Sequence, residues 1–233
     1  MPLRCFRCAL LVVTALTGTS LATPVVGKLD LPPAPNDRPP VVTRGFLDRT
    51  ENPNKPVRSV DVGPYLVVAL FPANEAEAKG SISDVRVDLV GESFARAVVG
   101  VPIGADVVIK NFSKTARTIV AAEDPKLIPD GPINPTGEKR FKIKDERTYT
   151  IGEKDTPHLK SKLIGVKTPY VTHVEVTGNV GKFDLSDVPD GAYKLRVFYK
   201  DSWIAEEAVT VQARAKNKPA EISVKVAAFT AKK

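Results

Sequence analysis

Apolar and polar residues alternate with period two through most of this chain, and that alternation predicts strands rather than helices. In KLRVFYK, Leu195, Val197 and Tyr199 share one face, while Lys194, Arg196 and Phe198 share the other. Comparable segments predict strands at 65–71, 85–91, 96–102, 105–111, 117–122, 140–146, 148–151, 162–167, 173–178, 182–186, 192–199, 207–213 and 221–228. A further short strand is predicted at VVGKLDL, 25–31. One helix is predicted around ANEAEAK, 73–79, too short to be stable alone. The stretch PPAPNDRPPVV cannot form a helix or a central strand, because proline lacks the donor both need. Many short strands separated by turn residues imply β-sandwich or barrel architecture. The pattern predicts two halves with a boundary near Thr168-Pro169, and no close internal repeat.

The first residues, MPLRCFRCALLVVTALTGTSLA, change that picture. Arg4 and Arg7 precede an apolar run, Ala9 to Leu16, and Ser20-Leu21-Ala22 supplies small residues for cleavage. This is the order of a secretory signal. The run is short for a bilayer span, and no later segment is apolar enough, so no membrane span is expected. Cys5 and Cys8 would leave with the signal, so the mature chain would hold no disulfide, zinc-thiolate site or cysteine nucleophile. Loss of Arg4 and Arg7 takes the formal charge from +7 to +5. The clearest basic cluster is Lys139, Arg140, Lys142 and Lys144, followed by Asp145 and Glu146. It reads as an anion-binding patch or, with more weight, a solvated strand face. Aromatic residues are not interleaved with the cations, which argues against nucleic acid.

Catalytic constellations are weak. His158 and His173 stand in no nucleophile motif, and no Gly-x-Ser-x-Gly elbow exists. Neighbouring carboxylates (Glu123-Asp124, Asp145-Glu146, Glu206-Glu207) point to opposite faces of a strand and make no pair by themselves. Asp184, Asp187 and Asp190 lack calcium-loop spacing, and Gly100 to Gly104 is not a phosphate loop. Trp203 would be a platform for a sugar ring if exposed, or core packing if not. Tyr170 reads as interdomain packing.

Two segments carry a resemblance. Residues 93–167 contain FARAVVGVPIGADVVIKNFSKTARTIVA and most of the segment that runs from Thr150 to Val171, TIGEKDTPHLKSKLIGVKTPYV. They resemble bacterial plastocyanin-like cupredoxins in the turn Val101-Pro102-Ile103-Gly104, in the strand-ending Asn111 and in Thr168-Pro169-Tyr170. Residues 169–226 resemble the carboxypeptidase-regulatory-like, transthyretin-like β-sandwich through Gly181, Phe183, Leu185, Val188-Pro189, Gly191 and Tyr193. Two such modules in this order are similar to exported methylamine-utilisation-type proteins. The resemblance implies an all-β chain, a cupredoxin-like Greek-key β-sandwich followed by a small transthyretin-like one. The implied organisation is a signal peptide (1–22), a proline-rich segment with one strand (23–64), a cupredoxin-like domain (65–168), a regulatory-like sandwich (169–228) and a tail (229–233).

The family's copper segment runs Cys-x-x-His-Pro-His-Met. This chain has Glu153, Thr156 and Leu159 where the pattern has Cys, His and Met, and keeps Pro157 and His158. Arg117 falls where the first copper histidine is expected, within one residue. A type I copper site needs two imidazoles and a thiolate. The expectation is therefore a copper site that has been lost, no catalytic or cofactor-binding residue, and no cofactor. In this segment only His158 could still ligate. The favoured function is a non-catalytic exported envelope protein acting by surface binding or assembly, periplasmic or secreted after cleavage near Ala22. Its partner would be an unknown envelope protein or a glycan. The alternatives are a periplasmic metal-binding or redox protein with an atypical site, and a carbohydrate-binding module.

Overall fold

The computed structural model describes residues 22–34, 61–74, 80–154, 156–212 and 219–230. The expected signal segment through residue 21, positions 35–60 of the proline-rich stretch and positions 75–79 of the expected helix lie outside the described residues. The described chain is all-β apart from one 3-10 turn, Gly63–Tyr65.

Four four-stranded sheets form two sandwiches. One pairs β12 (Glu175–Thr177), β13 (Val180–Pro189), β1 (Ala22–Asp30) and β16 (Ala220–Lys225), in that order. Its partner sheet runs β11 (Val171–His173), β2 (Leu66–Pro72), β14 (Gly191–Tyr199), β15 (Ser202–Val211). Leu29, Phe183 and Val224 of the first sheet meet Leu66, Leu70, Leu195 and Val197 of the second in one buried core. The other sandwich pairs β4 (Ser93–Phe94), β3 (Val85–Val90), β6 (Asp106–Asn111) and β8 (Glu138–Lys142). Facing it is the sheet β5 (Val98–Pro102), β10 (Thr156–Val166), β9 (Thr148–Glu153), β7 (Ile119–Ala121). Leu89, Ile109, Ile151 and Leu163 lie in its core.

This pairing corrects the domain limits drawn from sequence. β1 and β2, assigned there to the proline-rich segment and to the cupredoxin-like domain, are built into the sandwich of residues 169–228. The sandwich of residues 85–166 is thus inserted between β2 and β11 of the other. The reason lies in β2. Leu66 to Leu70 are fully buried, so both faces of this strand are covered. Leu66, Val68 and Leu70 point into the first core, while Val67 joins Val98, Ile164, Val166 and Phe198 in a third cluster between the sandwiches. A continuous apolar run marks a strand buried on both sides, but it does not say which sheet takes it.

The junction is close and specific. A Cβ on Gly100 of β5 would sit 2.4 Å from Val171 Cγ2 and 2.7 Å from Val67 Cγ1, so only glycine allows this approach. The connection at Thr168-Pro169-Tyr170 is pinned. The Thr168 hydroxyl, fully buried, donates to the Leu70 carbonyl at 2.6 Å and accepts from the Tyr170 N–H at 3.2 Å. Tyr170 packs edge-on against Tyr193 in the core of the outer sandwich and also lines the cleft toward the inserted one.

Strand 173–178 of the sequence reading is two strands, β11 and β12, which belong to different sheets. The expected turn at 101–104 forms: Gly104 takes φ +90°, and the Ala105 N–H donates to the Pro102 carbonyl at 3.0 Å.

Candidate functional site at the loop end of the inserted sandwich

β6 ends in Asn111, which is fully buried. Its amide donates to the carbonyls of Thr115 and Ile133, each at 2.8 Å. Its side-chain oxygen accepts the Ser113 N–H at 2.8 Å and the Ser113 hydroxyl at 2.6 Å. Two donors and two acceptors are all used, which is the full capacity of an amide. Asn111 therefore braces the long connection between β6 and β8 from inside.

The network continues to the positions singled out in the sequence. Arg117 and Ile133 exchange backbone hydrogen bonds at 3.1 and 2.8 Å. β7 pairs antiparallel with β9, opposing Ile119 to Glu153. That register brings Arg117 within reach of the end of β9. Arg117 Nη1 donates to Glu153 Oε2 at 2.7 Å, with side chains only 14% and 8% exposed. The Arg117 Nε is enclosed with no hydrogen-bond partner among the described residues.

Of the four positions matched to copper ligands, the structure brings these two together. Thr156, half-buried at the start of β10, lies in register opposite Glu153. A register shift between Thr156 and Lys160 then turns the segment, leaving His158 exposed and Leu159 1% exposed in the core. This donor set does not fit copper. A guanidinium has no lone pair to give, the Glu153 carboxylate is held by that guanidinium, and a leucine replaces any thioether. Among the described residues no three His, Asp or Glu side chains converge on one point.

His173 belongs to the other sandwich, on β11 in register with Val67. Its Nδ1 is enclosed and has no hydrogen-bond partner among the described residues. Burial, reinforced by the Arg96 guanidinium, pushes this imidazole down to about 4. Arg96 is itself held below its usual value by desolvation, opposed by Glu175.

The remaining candidates are structurally committed. Arg140 bridges to Asp84 and Glu138, each at 3.2 Å, and Lys142 lies 3.4 Å from Asp106. Lys139 donates to the carbonyls of Pro129, Asp130 and Gly131. Two of the four cations in the basic cluster, Arg140 and Lys142, are thus paired with carboxylates. Glu123 accepts the Thr150 N–H at 2.6 Å, and Glu206 accepts from Arg196 at 2.7 Å. Asp145 accepts from Tyr149 and Arg147, in that order of effect, and its carboxyl is held below the usual range. The Asp190 carboxylate accepts the Thr23 hydroxyl at 3.1 Å. Trp203 is half-buried and meets Phe71 and Phe198 edge-on, with centroids 5.8 and 5.3 Å away. It packs at the junction between the sandwiches. Two clefts open between the sandwiches, of about 390 and 460 Å³. The larger is lined by Arg86, Asp84, Tyr170, His173, Asp184 and Asp187 among others.

Sequence reasoning placed Arg117 and Glu153 at one site but read them as isolated losses. Their opposite charge was the signal that they pair.

No family model matches the chain, and no curated protein does. Among the solved structures similar to part of it are cupredoxins. A purple cupredoxin from Nitrosopumilus maritimus is 12% identical and covers 36% of this chain and 100% of its own, with TM-score 0.32. Oxidised plastocyanin from the fern Dryopteris crassirhizoma is 17% identical over 35% of this chain and 100% of its own, with TM-score 0.32. A reduced amicyanin variant is 11% identical over 42% of this chain and 98% of its own, with TM-score 0.33. The chain is an all-β protein with cupredoxin-like neighbours over part of its length. Similarity at this level assigns it neither a metal nor an activity.

Proposed function

We propose that this chain is a non-catalytic exported protein of the bacterial envelope that acts by surface binding or assembly. In this reading the inserted sandwich is a cupredoxin-like scaffold that has given up copper, and the outer one is a transthyretin-like module. The observation that supports it most is the Arg117–Glu153 bridge, which fills two expected ligand positions with groups that neutralise each other. The partners held by Glu123, Asp145, Asp190 and Glu206 support the same reading, since each is engaged in holding the fold. A framework kept without its chemistry leaves its surface as the working part, because fold alone does not fix function. The partner would be an envelope protein or a glycan. A metal or redox role for Glu153 with His158 is disfavoured by the same bridge.

The test is expression of the full chain in a bacterial host, followed by fractionation and sequencing of the mature N-terminus. The protein is expected outside the cytoplasm, beginning near Thr23, and is expected to co-sediment with isolated envelopes. An uncleaved cytoplasmic chain that ignores envelopes would overturn the proposal.

A further inference from the structure

We infer that the Arg117–Glu153 pair is a built-in substitute for a bound metal, with the guanidinium supplying the cation that ties the β6–β8 connection to the end of β9. Three observations carry this. The pair joins residues 36 positions apart at 2.7 Å and is mostly shielded from water. Arg117 is also tied through its backbone to Ile133, whose carbonyl receives the Asn111 amide. One cation therefore closes a path from β6 through the long connection to β9, as a metal held by ligands from the same segments would. The register of Ile119 against Glu153 holds the backbone two residues from Arg117 beside that of Glu153. The inference uses the matched ligand positions but not the envelope assignment, and failure of envelope binding would leave it standing.

The experiment is a gain of site. The double variant R117H/E153C, added to the full chain without its first 22 residues, is titrated with cobalt(II). The prediction is one equivalent bound, with a thiolate-to-cobalt charge-transfer band that neither single variant gives. A folded double variant with no such band overturns the inference. Should that variant not fold, R117M, E153Q and their combination decide the matter. Each single change strands a shielded charge or its donor and is expected to lower Tm by about 5 °C or more. The combination is expected to recover at least half of the larger loss, because neither charge is then stranded. Strictly additive losses contradict the inference, as does a wild-type Tm that rises by several degrees on one equivalent of copper.

Discussion

Asn111 shows how much a single side chain organises here. Removing its amide by Asn111→Ala takes one hydrogen bond from each of the Thr115 and Ile133 carbonyls and leaves the buried Ser113 N–H without its partner. The expected cost is about 2–4 kcal/mol, read by urea denaturation. His173 carries a pH dependence of definite sign. Its folded value, about 4, lies below the ordinary 6.5, so the unfolded chain binds the extra proton first. Stability is then fully present above about pH 6.5 and falls as the pH drops toward 4, by up to about 3 kcal/mol. Arg96 and Glu175 face each other near this group, and His173→Gln is expected to flatten this part of the denaturation profile. Neither effect was legible in the sequence. An asparagine at a strand end and a histidine starting one are common, and only enclosure gives them these roles.

Among the elements, β5 and β2 set how the sandwiches meet. Gly100→Ala would press a methyl group into Val171 and Val67, both stiff at χ1. The junction must then open or shift, at an expected cost of about 1–3 kcal/mol. Trp203, edge-on to Phe71 and Phe198 at the same junction, should report it as a red-shifted emission. An unchanged spectrum and melting curve would show that the junction is looser than described. Strand positions were mostly legible, because alternation survives wherever one face is wet, as in β13 and β14. Pairing was not. β1 lies parallel to β16 and antiparallel to β13, from opposite ends of the chain, and period two carries no information about such partners.

For the whole molecule, the consequence is a nested arrangement: an outer sandwich built from both ends of the chain, with a second sandwich inserted between β2 and β11. The Thr168-Pro169-Tyr170 joint read from sequence is real, but it is the return of the insertion rather than a simple boundary. The loop end of the inserted unit is held by a charge pair at two positions where the resembled family carries copper ligands. The sequence could flag the replaced ligands, whereas their mutual neutralisation needed the β7–β9 register. The most direct test is calorimetric titration of copper into the chelator-treated chain lacking its first 22 residues. The account predicts weak, salt-sensitive association without fixed stoichiometry. One tightly bound equivalent, lost in His158→Ala, would contradict it.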